Sequence, residues 1–194
     1  MLVPIVEGHG EVQAVPVLLR RLLPGCGGAH LGVARPFLVK RNKVVKVGEL
    51  ERAIEFAVSD RANARALLVV LDADDDDPIA LAAALQVRAE ETTHLPIRVV
   101  VASREYESWL LASKETLRGL RGIRDDAVAP TNPESLRAAK SHLTFNMVSG
   151  RRYLEVDDQA SLTSRIDFDL AAARSASFGR LIECVTELAA ATAT

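Results

Sequence analysis

Ala66-Leu67-Leu68-Val69-Val70-Leu71-Asp72-Ala73-Asp74-Asp75-Asp76-Asp77 joins six apolar residues directly to a run of acids. A short apolar run without polar alternation suits a strand covered on both faces, as in a parallel sheet. Leu2 to Val6 has the same character and is likewise stopped by an acid, Glu7, followed by Gly8. Residues 97–102 read as a further buried strand and residues 37–39 as a shorter one.

Between these runs the apolar period changes. Val12, Val15, Leu18, Leu19 and Leu22 recur at helical spacing until Pro24 and Gly25 break the pattern, and Leu50, Ile54, Phe56, Ala57 and Val58 follow Gly48 in a second helix. Residues 79–91 have a helix-forming composition. Strands alternating with helices imply right-handed β-α-β crossovers. The expected fold is therefore α/β and Rossmann-like, a parallel four-stranded sheet with helices on both faces.

Beyond Glu105 the character becomes helical, over residues 105–120, 133–143, 167–173 and 178–191, with Pro130 and Pro133 marking a break. The expected organisation is an α/β core over residues 1–112 and a helical C-terminal part over residues 113–194 packed on it, one domain overall. A chain of 194 residues is long enough for one core and short for two.

With 48% hydrophobic residues spread along its length, the chain is no disordered polymer. A formal charge of −2 gives no general attraction to phosphate backbones, so nucleic-acid binding would need local basic patches or a bridging metal ion. Cys26 and Cys184 stand far apart, outside any Cys-x-x-Cys pair, which fits a reducing cytoplasm. No apolar run approaches the ~20 residues that span a bilayer, and no membrane partner is expected.

Ligands of parallel α/β sheets bind beyond the carboxyl ends of the strands, where both acidic motifs fall. Glu11 lies four residues after Glu7, so a helix beginning just after Gly8 sets the two carboxylates on one side of the backbone. Asp72 and Asp74, two apart in extended chain, project together. Acids gathered this closely repel one another unless a hard cation such as Mg2+ or Mn2+ binds through their oxygens. Glu7, Glu11, Asp72, Asp74 and Asp76 are the expected metal ligands. The chemistry implied is metal-assisted phosphoryl transfer. Glu7, Asp72 and Asp74 would be catalytic, with Lys140 stabilising transition-state charge.

In the basic stretch Lys40, Arg41, Lys43 and Lys46, the residues Arg41 and Lys43 are candidates to hold nucleic-acid phosphates. Glu105 and Glu107, after the fourth strand, lie on the same edge. Gly8-His9-Gly10 lacks both the Lys-Ser/Thr ending of a P-loop and the third glycine of a dinucleotide fingerprint. No His-x-x-x-His pair points to zinc, and no Gly-x-Ser-x-Gly elbow points to a serine hydrolase. The plainer reading gives Glu11 to the first turn of a helix and the later aspartates to capping the next.

Glu7 after the first strand and Asp72-Ala73-Asp74 after the third match the Glu and Asp-x-Asp positions of the TOPRIM fold, which is shared by topoisomerases, bacterial primases and overcoming-lysogenization-defect nucleases. More closely, the Val-Glu-Gly-x-x-Glu start, Glu105-Tyr106-Glu107-Ser108-Trp109-Leu110, and the segment from Asp158-Gln159-Ala160-Ser161-Leu162 to Ser177-Phe178 resemble a TOPRIM-related bacterial domain-of-unknown-function family, number 4276. That resemblance covers nearly the entire chain. It implies a metal site and suggests nicking or cleavage of DNA or RNA, in bacterial defence beside a separate ATPase or other partner protein. The competing expectation is a catalytically inactive TOPRIM-like module for protein interaction.

Overall fold

The computed structural model describes residues 1–193; Thr194, the end of the expected helical part, lies outside the described residues. Strands β1 (Leu2–Val6), β2 (Phe37–Leu38), β3 (Ala66–Asp72) and β4 (Ile97–Ala102) form one sheet in the order β2-β1-β3-β4, every neighbouring pair parallel. Val3, Ile5, Leu67, Val69, Leu71, Val99 and Val101 pack on one face, and Leu2, Val6, Ala66, Leu68, Val70, Val100 and Ala102 on the other. Side chains alternate across a strand, so a sheet buried on both faces needs unbroken apolar runs.

Helix α1 (Glu11–Gly25) covers the second of these faces. The first is covered by α3 (Glu49–Ser59) and α4 (Pro78–Thr92), with Val44 from the short α2 (Arg41–Val44). The helices beyond β4 are α5 (Glu107–Ala112), α6 (Ala139–Phe145), α7 (Glu155–Thr163), α8 (Phe168–Arg174) and α9 (Ala176–Ala191). Through Trp109, Leu143, Leu162, Ala171 and Leu181 all five enter the core on the α1 face. The architecture is the Rossmann-like parallel sheet with a helical extension that the alternation of periods implies. Among the described residues, no helix is long and apolar enough to cross a membrane.

β4 is an edge strand, and edges need protection. The Gln86 side chain lies along it, donating from Nε2 to Ile97 O (3.0 Å) and accepting at Oε1 from Val99 N (2.7 Å). Ser177 Oγ accepts from Ser103 N (3.2 Å) just beyond the strand.

The extension differs from its sequence reading in three places. Residues 105–120 are not one helix: α5 stops at Ala112 and a 3-10 turn follows over Lys114–Leu117. The Ser113 hydroxyl at the junction accepts from Asp167 N (2.8 Å), tying the break to the start of α8. Residues 133–143 divide into a 3-10 turn, Pro133–Ser135, and α6, because Asn132 caps the turn and Ala138 adopts left-handed backbone. Helix α7 has no apolar stripe to announce it: its buried face is Asp158, Gln159, Leu162 and Thr163. The basic stretch after β2 contains a short helix, α2.

Trp109 is fully buried, meets Phe178 edge-on at 5.6 Å between centroids, and donates to Ser177 Oγ (2.8 Å). It thereby fastens α5 to α9. Trp109→Ala should destabilise the protein by about 3–5 kcal/mol, seen as a lower urea midpoint in one transition. A separate early transition of the C-terminal helices would contradict the shared core.

Candidate metal centre

Register places Val6 opposite Val70, so β1 stops two residues short of β3 and Glu7 and Asp72 emerge at the same edge of the sheet. Each acid in the group is anchored through one oxygen. Asp72 N donates to Glu7 Oε1 (2.8 Å), Tyr106 N to Asp72 Oδ1 (2.7 Å), and both Glu7 N and Gly8 N to Glu11 Oε2 (3.2 Å each). One carboxylate oxygen from each of Glu7, Glu11 and Asp72 lies within 4.8 Å of the other two. Glu7 Oε2 is buried and has no hydrogen-bond partner; Arg41 Nε stands 3.9 Å away.

Gly10 allows this turn to pack closely. A Cβ there would collide with Gln159 Oε1 and come 2.5 Å from Glu155 Cγ. Helix α7 therefore sits directly on the loop between β1 and α1. Its Glu155 accepts from Gly10 N (3.4 Å) and from Lys140 Nζ (2.6 Å).

A further acid, Glu107, is fully buried at the start of α5. Its Oε1 accepts from Tyr153 Oη (2.8 Å) and Gln159 Nε2 (3.2 Å), while Oε2 has no partner. Glu107 stands beside Glu105 in the sequence but outside the expected ligands; Gln159 enters only within the family motif, and Tyr153 and Glu155 carry no sequence signal of their own. The spacing of Glu155 and Gln159, four apart, was the available sign that both share one helix face.

Burial dominates the electrostatics. It pushes Glu7 up to about 7, against relief from the Asp72 N–H and from Arg41. Glu11 rises to about 8, by burial and then by the charge of Glu7. The Asp72 carboxylate, enclosed by protein although the residue keeps a partly exposed surface, is raised well above its ordinary range by burial and then by Glu11, Glu107 and Glu7. Glu107 reaches about 7 through burial, countered first by Lys140. Lys140 loses some preference for its charge to burial but gains more from Glu107 and Glu155, so it stays cationic.

Asp74 and Asp76 lie outside the group. Extended backbone ends at Ala73: Asp74 turns to φ 53° and gives its N–H to Arg104 O (2.9 Å), leaving its side chain exposed. Asp76 Oδ2 accepts from Arg41 Nη2 (2.5 Å), and Arg41 Nε donates to Asp72 O (3.0 Å). Arg41 is thus spent on the acidic loop, whereas Lys43 is exposed on α2. Asp77 caps α4, accepting from Ile79 N and Ala80 N (2.9 Å each). Arg121 and Arg151 both bind buried Asp158.

Fold and geometry together define a parallel α/β protein with a buried, oxygen-only acidic centre at the carboxyl edge of its sheet. The chain belongs to the family described as Domain of unknown function (DUF4276), which it matches over residues 6–186. No curated protein and no solved structure matches it.

Raised carboxyl pKa values mean that the folded state binds more protons than the unfolded one between about pH 4.5 and 8. Stability contributed by these protonated acids is present at the acid end of that window and is lost as pH rises through it. Without divalent ions, Tm should fall between pH 5.5 and pH 8.5 by on the order of 5 °C. Glu11→Gln should flatten the profile, and Mn2+ should restore Tm at pH 8.5 more than at pH 5.5. A Tm that climbs with pH in EDTA would contradict this account of the centre.

Proposed function

We propose that this protein is a Mg2+- or Mn2+-dependent phosphoryl-transfer enzyme, a nuclease acting on DNA or RNA. The reading is carried by the three carboxylates of Glu7, Glu11 and Asp72, brought within 4.8 Å at the ends of adjacent parallel strands. Such acids repel when ionised, and a hard cation relieves the repulsion through oxygen ligands. The residues fit a cation: the donors are all oxygen, and the buried Oε2 of Glu7 has no hydrogen-bond partner. The TOPRIM resemblance of Glu7 and Asp72 supports the same chemistry.

Glu7, Glu11 and Asp72 would hold the ion. When bound, it supplies Lewis-acid polarisation of a phosphoryl oxygen. Lys140, held cationic by Glu155 and Glu107, sets a positive charge beside the acids, suited to the charge that develops on a phosphodiester. Arg41 neutralises the Asp74–Asp76 loop, which lowers its repulsion of an approaching phosphate. Two free cysteines accord with a cytoplasmic setting, and work alongside an ATPase in bacterial defence is part of the same proposal.

The engagement of Asp74 and Asp76 by Arg41 favours a second reading: a TOPRIM-like scaffold that presents its helical surface to a partner protein and holds at most a structural cation. Incubation with supercoiled, linear and single-stranded DNA and with RNA, in Mg2+ or Mn2+, separates the two. Cleavage reduced roughly 100-fold or more by Asp72→Asn or Glu7→Gln is expected for the enzyme. Mn2+ binding by calorimetry without any cleavage supports the scaffold, and equal products from wild type and variants would sink the catalytic reading.

A further inference from the structure

Beyond the Asp74 turn lies a cavity of about 180 Å3 lined by Asp74, Asp75, Arg104, Glu105, Arg137 and Ala138. Two guanidinium groups converge there on one carboxylate. Asp75 Oδ1 accepts from Arg104 Nη1 (2.6 Å) and meets Arg137 Nη2 at 2.9 Å, and Asp75 Oδ2 accepts from Arg137 Nη1 (3.4 Å). Arg137 therefore grips both oxygens, in the forked geometry that suits carboxylate and phosphate alike.

Asp75 and Arg137 are both exposed, with about seven-tenths of each side chain open, and such pairs contribute little to stability. The backbone around them is nonetheless strained. Asp74 (φ 53°), Arg104 (φ 67°) and Ala138 (φ 56°) are three of the four non-glycine residues with positive φ among the described residues, and all three line this cavity. Left-handed backbone at non-glycine residues is strained, and such strain collects where a group is held for a task. Arg104 is held on both sides of its own chain: its O accepts from Asp74 N (2.9 Å), and its Nη1 also donates to Asp74 O (3.1 Å).

We propose that Arg104 and Arg137 form a phosphate clamp for the nucleic-acid strand, and that Asp75 occupies the clamp until a substrate phosphate displaces it. The nature of the strand rests on the phosphoryl-transfer reading; the clamp itself rests on its own geometry. A phosphodiester oxygen pair takes over the N–H contacts that Asp75 now accepts, and the released Asp75 carboxylate regains water on its exposed loop. Arg104 is the half fixed by its bonds to Asp74, and Arg137 is the more exposed half. Asp74 and Glu105 on the same walls oppose an anion, so removing the charge of Asp75 has a measurable effect. Because Asp74 borders both sites, the clamped phosphate lies next to the one presented to the carboxylates.

Binding of a fluorescein-labelled single-stranded DNA oligonucleotide, followed by anisotropy in EDTA at low ionic strength, tests this without turnover. Arg104→Gln/Arg137→Gln should weaken binding at least about tenfold. Asp75→Asn should tighten it several-fold, and inorganic phosphate should compete with the oligonucleotide on wild type but not on the double variant. Arg137→Gln alone, at an exposed position, keeps the test valid should the double variant misfold. Unchanged affinity in Arg137→Gln and in the double variant overturns the clamp, as does the absence of wild-type binding. Cleavage in Mn2+ is measured in parallel. A raised KM with kcat retained in Arg137→Gln supports both the clamp and the enzyme. Arginine-dependent binding with no cleavage by any form leaves the clamp standing and removes the catalytic reading.

Discussion

The parallel register between β1 and β3 is the constraint from which the rest of the molecule follows. With Val6 opposite Val70 the two strands run out at one edge, and their first polar residues meet through the bond from Asp72 N to Glu7 Oε1. A shift of one residue would turn the side chains of the shifted strand to the opposite faces and misfit both packed cores. Two dry cores, one on each side of the sheet, hold the register, so the meeting of two acids is enforced by hydrophobic packing rather than by any attraction between them. Once they meet, burial does the remaining electrostatic work: acids that would be ordinary on a surface become reluctant to ionise.

Much of this was legible because it is periodic. Strands buried on both faces are uniform in sequence, and β1, β3 and β4 could be placed almost to the residue. Glu7 and Asp72 were legible for the same reason, since a strand's last residue is fixed once its apolar run ends. Asp74 was not, because its position depends on a left-handed turn that any Asp-x-Asp spacing conceals. Helix α7 was not, because apolar periodicity is blind to a helix that buries Asp158, Gln159 and Thr163. These polar residues are buried because partners await them, Arg121 and Arg151 for Asp158, Glu107 for Gln159 and Tyr106 for Thr163, and partners distant in sequence leave no local trace.

The helical extension consequently has a larger part in the site than its place at the end of the chain suggests. Glu107, Lys140, Tyr153, Glu155 and Gln159 all come from beyond β4, yet they form the wall of the acidic centre opposite the sheet. The sheet brings the acids together, burial raises them, and charges from the extension adjust the result. Glu107 adds repulsion to Asp72 and Glu11, while Lys140 offsets it. Gly10 is where the two parts meet most closely, since a side chain there would displace the Gln159 and Glu155 side chains.

The Gln86 amide on the free edge of β4 has a consequence of another kind. Its carbonyl and amino groups engage one N–H and one C=O that a fifth strand would otherwise take, so the side chain stands in for a segment of neighbouring backbone. A parallel sheet with a long apolar margin is a template for chain-to-chain growth, above all while a newly made polypeptide is still folding. By occupying two of the edge groups with one side chain of α4, the protein makes that margin a poorer template for another strand.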